Sequence, residues 1–177
     1  SQTFIDCLVV LGEMCREDLK AIRWNKNIEV VPNFIDNELL EASNAAMQNE
    51  RTCDVIYIGR MEEKKGIYTI LDVARKCEHT SFRFVGPFAH AGAEKQFAER
   101  MDGLQNVRWE GAHFGASKYQ FLSDAKIFLL PSDTEVFPVS ILECQAFGIV
   151  PLATRVGLIP ELITDGEDGF LIEKENV

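Results

Sequence analysis

A chain of 177 residues, 46% hydrophobic and 26% charged with 6 prolines, has the make-up of a core-forming domain with an appendage and excludes a disordered or low-complexity protein. Its formal net charge of −10 argues against nucleic acid as a partner, so an anionic ligand has to be met by a local cluster of cations. No run approaches the roughly 18 apolar residues of a membrane helix, and the stretch 7–11 lacks the flanks of a leader, which gives the expectation of a cytoplasmic chain without membrane span or signal peptide.

Taken in chain order, residues 7–11 read as a strand, 14–22 as a helix and 28–31 as a strand, followed by Pro32-Asn33-Phe34-Ile35-Asp36. That is too little for a core of its own. Residues 1–50 are therefore expected to be the tail of a preceding N-terminal domain and its connection, and 51–177 a second domain truncated at its C-terminus. From residue 53 the pattern alternates. Strands are expected at 54–59, 81–85, 107–111, 127–130, 150–154 and 170–172, and helices at 66–77, 91–101, 119–125, 138–147 and 160–163. Strands alternating with helices imply an α/β fold, a Rossmann-like doubly wound parallel sheet with both faces covered.

The five cysteines (Cys7, Cys15, Cys53, Cys77, Cys144) are odd in number and contain no C-x-x-C pair, which fits a reducing compartment and no structural zinc. His79, His90 and His113 are scattered and read as satisfied or surface histidines, with His113 placed just past a strand end where it can line a cleft. Asp165-Gly-Glu-Asp-Gly169 lacks calcium-loop spacing and reads as a turn. Cys144 reads as packing, since no histidine is placed to activate it.

Two segments carry chemistry. Gly59-Arg60 and Lys65-Gly66 lie between a strand end and a helix start, where open α/β sheets collect ligands and free helix N–H groups favour anions. Arg60 can fork onto phosphate oxygens and Lys65 can supply a mobile charge. The alternative is a solvated turn in which Glu62, Glu63, Lys64 and Lys65 neutralise one another. The second segment is Pro131-Ser132-Asp133-Thr134-Glu135-Val136-Phe137-Pro138 with Ser140 and Glu143. Pro138 suits a first helical position, which leaves Glu135 in the loop and Glu143 on the helix. Both carboxylates can accept from a vicinal diol, and both also admit the plain alternative of a loop acid and a solvated helix glutamate.

From Val31 onward these residues form an ordered set: Gly59-Arg60 with Lys65-Gly66, Pro131-Ser132, Glu135 with Glu143 eight residues on, Ala146-x-Gly148, Ala153-Thr154, Gly157-x-x-Pro160-Glu161, then Asp165-Gly166 with Gly169-Phe170. In that order the chain resembles the C-terminal, donor-binding domain of family-4 retaining glycosyltransferases, whose GT-B architecture sets two Rossmann-like domains face to face. The resemblance implies a hexosyl-type transferase that moves a sugar from a nucleoside-diphosphate sugar to an acceptor hydroxyl, in polysaccharide or glycan biosynthesis. It implies catalytic roles for Arg60, Lys65 and Glu135, with Arg60 and Lys65 clamping the diphosphate and Glu135 at the donor sugar. Donor binding falls to Gly59, to the amides of Val139 and Ser140, and to Glu143 at the ribose. No metal and no cofactor beyond the nucleotide-sugar substrate are implied. The glycan or lipid-linked acceptor is assigned to the N-terminal domain, and peripheral membrane association of the full-length enzyme is compatible with this. The chain departs from the family at Pro138, where a glycine is usual and a backbone donor is lost, at Leu158, which replaces the second of two glycines and is expected to crowd the sugar, and at Gly86-Pro87-Phe88.

Two other classes have sequence requirements of their own. A dinucleotide-binding oxidoreductase needs G-x-G-x-x-G after the first strand, and Gly59-Arg-Met-Glu-Glu-Lys fails that test. A non-catalytic nucleotide-sugar-binding module is the remaining alternative, since a donor half without its acceptor half binds without turning over.

Overall fold

The computed structural model describes residues 5–46 and 50–173; the outer ends of the two expected segments, at 1–4 and 174–177, and residues 47–49 at their junction lie outside the described residues. By its contacts the chain groups into residues 1–34 and residues 35–177. In the first unit, strand β1 (Cys7–Val10) pairs in parallel with β2 (Asn27–Val30), with Leu8 opposite Ile28 and Val10 opposite Val30. These alternate residues are the more buried ones and share a face, as a two-residue period requires, and helix α1 (Glu13–Ala21) packs on both strands.

The second unit opens with a helix for which hydrophobic periodicity gave no expectation, α2 (Asn37–Ala46). Its start is fixed by Asp36, whose Oδ1 accepts from the Leu39 amide at 2.8 Å, the bond of an N-cap. Leu39 and Ser43 are buried, and α2 packs against the helices Tyr119–Ser123 and Val139–Ala146 of the same unit.

Six parallel strands follow: β3 (Cys53–Ile58), β4 (Phe82–Val85), β5 (Val107–Trp109), β6 (Ala125–Leu130), β7 (Val150–Thr154) and β8 (Phe170–Ile172). Between them run α3 (Ile67–Lys76), α4 (Ala91–Met101), α5 (Tyr119–Ser123), α6 (Val139–Ala146) and α7 (Ile159–Leu162). In β3 every residue but Asp54 is buried, the mark of a strand covered on both faces. Helix α3 buries Ile67, Ile70, Leu71 and Ala74, the stripe that a 3.6-residue period lays on one side. The doubly wound parallel sheet expected from the sequence is therefore the fold. Strand β6 starts at Ala125 rather than 127, because Ala125 already pairs with Cys53. Pro138 is the N-cap of α6 with an extended ψ of 101° rather than its first turn.

The spatial order is β5-β4-β3-β6-β7-β8. Connections step outward from β3 in one direction, then return to β6 and step outward in the other. The loops after β3 and β6 thus diverge at the carboxyl edge, which is where a sheet of this kind opens a crevice.

Those two loops are held close by backbone contacts. Asp133 donates its amide to the Lys64 carbonyl at 2.8 Å, and Gly66, at φ 77°, lies against Pro131 so tightly that a Cβ there would collide with the Pro131 carbonyl oxygen. Gly66→Ala combines the left-handed penalty of about 1–2 kcal/mol with an overpacking cost of about 1–3 kcal/mol. Gly103 has the same backbone hand at φ 80° but no atom within 4 Å of such a Cβ. Urea denaturation is expected to show Gly66→Ala losing about 2–5 kcal/mol and Gly103→Ala only the backbone part, about 1–2 kcal/mol; equal losses would show that loop contact at Gly66 is immaterial.

Candidate functional site

Gly59 and Arg60 follow β3 directly, and the next residues turn back along the neighbouring loop, with the Met61 amide donating to the Pro87 carbonyl at 2.8 Å. Beneath them Tyr57, 1% exposed, donates its hydroxyl to the Arg60 carbonyl at 2.7 Å. Burial pushes this phenol far up, with Glu135 and Glu62 adding to the effect, so it stays a proton donor. The Arg60 side chain is exposed and meets Glu62 Oε1 at 3.1 Å, while Lys64 takes the other oxygen at 3.0 Å. The Lys64 hydrogen bond holds the Glu62 carboxyl below its ordinary value, and Arg60 contributes.

Lys65 points the other way. Its Nζ lies 2.7 Å from Glu135 Oε2, and Ser132 Oγ donates to Glu135 Oε1 at 2.8 Å. Side-chain exposure is 20% for Lys65 and 7% for Glu135, so the pair is largely withdrawn from water. Ser132 is itself fixed, with Thr154 Oγ1 donating to its carbonyl at 2.6 Å. On the far side Gly157, at φ 53°, abuts the Glu135 carbonyl where a Cβ would collide, and the Leu158 amide donates to Val136 at 3.0 Å. The Glu135 loop is thus clamped from both flanks.

Glu143 sits one turn into α6. Its Oε1 receives Lys118 Nζ at 2.6 Å, with side-chain exposures of 13% and 17%. Lys118 ends a short 3-10 turn, Gly115–Lys118, that precedes α5. Its neighbour Cys144 is fully buried, and burial raises the thiol well above its ordinary value, consistent with packing rather than nucleophilic use.

Two clefts share Ile58, Gly59, Arg60 and Ser140. The larger, about 520 Å³, is lined also by Gly86, Pro87, His113, Phe114, Lys118, Val139 and Glu143. The smaller, about 170 Å³, is lined also by Tyr57, Lys65, Leu130, Glu135 and Pro138. The structure therefore brings all seven sequence-derived site residues to one crevice, but divides them. Gly59, Arg60 and Ser140 stand at the junction, Val139 and Glu143 on the larger side, Lys65 and Glu135 on the smaller.

Two features lie beyond the sequence reading, and a third differs from it. Lys118 was not singled out, because its partner lies on another element 25 residues away. Phe114, 69% exposed at the rim of the larger cleft, carried no motif. Leu158, expected to crowd the sugar, lines neither cleft; at 2% exposure its side chain is packed inward, while its backbone amide makes the bond to Val136. His113 does line the larger cleft, with Nε2 3.1 Å from the Glu110 carbonyl. His90 instead caps α4, its Nδ1 accepting from the Ala93 amide at 3.1 Å. Among the described residues no group of three or more His, Cys, Asp or Glu is arranged to hold a metal, and no helix is long and apolar enough to cross a membrane.

Comparison with known proteins places this geometry in a setting. A family model described as glycosyl transferases group 1 matches residues 52–177. An uncharacterized 41.2 kDa protein in the cps region of Klebsiella pneumoniae is 27% identical over 164 residues, covering 88% of this chain and 44% of that protein. The sulfoquinovosyl transferase of Arabidopsis thaliana is 25% identical over 177 residues, covering 96% of this chain and 33% of its own length. The chain thus spans a third to under a half of these relatives. Among solved structures, the Anabaena protein HepE, crystallised with UDP and glucose, superposes with a TM-score of 0.76 at 18% identity, covering 96% of this chain and 50% of that one, a likeness of fold.

The Lys65–Glu135 contact is open to direct measurement. Removing the cation from a largely buried pair strands the carboxylate, so Lys65→Met is expected to cost about 2–4 kcal/mol by urea denaturation, and Lys65→Met/Glu135→Leu to recover most of it. A single-variant loss under about 0.5 kcal/mol would place the pair with exposed ion pairs instead.

Proposed function

The chain belongs to the glycosyl transferases group 1 family, and on that premise we propose that it is the donor-binding domain of a retaining glycosyltransferase that takes a sugar from a nucleoside diphosphate and passes it to an acceptor hydroxyl. The observation that carries the reading is the set of three cation–carboxylate pairs, Arg60–Glu62, Lys65–Glu135 and Lys118–Glu143, gathered where the sheet order reverses.

Each pair holds a cation in place without exhausting it. An ammonium has three donors, so Lys65 can keep Glu135 and still bond a phosphate oxygen, and the exposed Arg60 fork can do the same beside Glu62. The start of α6 adds the amides of Val139 and Ser140, whose direction favours an anion. Diphosphate is then met at the junction of the clefts, ribose by Glu143 on the larger side and sugar by Glu135 on the smaller.

In this assignment Glu135 is an acceptor that orients the sugar, since Lys65 and Ser132 already occupy one site on each oxygen. Catalysis rests on charge. As the sugar–phosphate bond breaks, negative charge grows on the departing diphosphate, Arg60 and Lys65 stabilise it, and the phosphate accepts the proton of the incoming hydroxyl. Loss of one such fixed donor is worth roughly 10²–10³ in rate. Two cations at the diphosphate make a metal unnecessary in this scheme. The acceptor, a glycan or lipid-linked hydroxyl in polysaccharide assembly, is held by a facing domain, and a cytoplasmic setting with its nucleotide sugars belongs to the same proposal.

Calorimetric titration of the 177-residue chain with UDP, GDP and ADP is expected to show that one of them binds, with Arg60→Ala, Lys65→Ala and Glu143→Ala each weakening it and EDTA without effect. Binding of none at millimolar concentration would overturn the assignment of the cleft, and loss of binding in EDTA would overturn its metal independence.

A further inference from the structure

Lys118 is the one cation of the crevice that lies on neither donor-site loop. It ends the 3-10 turn before α5, its side chain is 17% exposed, and its ammonium is 2.6 Å from Glu143 Oε1 on the facing helix. Both side chains line the larger cleft, whose other walls are mostly apolar or backbone: Ile58, Val85, Gly86, Pro87, Phe114 and Val139. Glu143 is the only carboxylate among those lining residues. A carboxylate in such surroundings is costly unless a cation matches it, and its long side chain loses rotamer freedom only if something fixes it.

We propose that Lys118 is the positioning residue that holds Glu143 in the orientation in which it reads a vicinal diol, and so sets the preference of this cleft for ribose over deoxyribose. This rests on the proposed donor site. With one ammonium on Oε1, a carboxylate retains about three further acceptor positions, so Oε2 and the second lone pair of Oε1 can take the two hydroxyls of a ribose. The hydroxyls gain from a pre-set carboxylate acceptor, because hydrogen bonds to charged groups are about twice as strong as neutral ones and no ordering remains to be done on binding. Lys118 needs no contact with the ligand itself for this. It acts through the carboxylate, from an element that the loops carrying Arg60, Lys65 and Glu135 do not include.

The test compares ribonucleotide with deoxynucleotide on the same protein. Whichever of UDP, GDP or ADP binds most tightly is titrated alongside its 2′,3′-dideoxy counterpart against the unaltered chain and the Lys118→Met, Lys118→Arg, Glu143→Gln and Lys118→Met/Glu143→Gln variants, with thermal unfolding of each. The unaltered chain is expected to prefer the ribonucleotide about tenfold or more, the scale of one or two charge-assisted hydrogen bonds. Lys118→Met is expected to remove most of that preference while leaving dideoxynucleotide binding within about threefold. The double variant should bind no worse than Glu143→Gln, and Lys118→Arg should restore the preference. A Lys118→Met variant that weakens both nucleotides equally would overturn the proposal and put Lys118 on phosphate or base; unchanged preference would overturn it also. Failure of every ribonucleotide to bind the unaltered chain would instead remove the donor-site reading on which the proposal stands.

Discussion

Everything at the carboxyl edge of the sheet depends on how near the loop after β3 can come to the loop after β6. Because β3 and β6 are neighbours in the sheet, these loops start side by side even though their connections leave in opposite directions, and side chains would keep their backbones apart. Gly66 removes that spacing against Pro131, and Asp133 to Lys64 converts the approach into a hydrogen bond. Only then do Lys65 and Glu135, 70 residues apart in sequence, meet at 2.7 Å. Gly157 repeats the device from the other flank, lying under the Glu135 carbonyl. A charged pair of this kind holds its geometry because the backbone leaves it little else to do.

The charge arrangement follows from the composition. In a chain of net charge −10, an uncompensated cluster of three cations would be an exception, and the crevice instead has each cation matched by a carboxylate. Matching lowers the cost of withdrawing Lys65 and Lys118 from water, and it fixes where their remaining donors point. Two of the three matching carboxylates, Glu135 and Glu143, are also the groups proposed to accept sugar hydroxyls. One set of contacts therefore serves both to hold the cations and to present acceptors, with Arg60, the most exposed of the three, left to move with a ligand.

How far the amino-acid sequence discloses this varies with the range of the interaction. The stripe Ile67, Ile70, Leu71, Ala74 and the apolar run of β3 are local patterns, and they yield α3, β3 and the doubly wound sheet directly. The capping of α2 by Asp36 is also local, but it speaks through one side-chain hydrogen bond rather than through periodicity, and the pattern passes over it. The candidate site residues are recognisable as an ordered set by family resemblance, whether they sit in loops, as Arg60 and Glu135 do, or on α6, as Val139, Ser140 and Glu143 do. What each one touches is not recognisable. Neither the pairing of Lys65 with Glu135 nor that of Lys118 with Glu143 has any signature in spacing, since each joins separate elements. Leu158 shows the same limit from the opposite side: a residue expected from its size to crowd the sugar has its side chain packed inward, away from both clefts.

The central claim, that a nucleoside diphosphate sits where β3, β6 and the start of α6 converge, is tested most directly by backbone amide NMR during titration with UDP, GDP or ADP. The account predicts that the largest shifts fall on Gly59, Arg60, Val139 and Ser140, with Lys118 and Glu143 following, while Thr52, Ser81 and Arg108 around the cavity at the opposite edge of the sheet stay in place. Shifts concentrated at that opposite edge, or spread evenly over the chain with none of these residues distinguished, would contradict it.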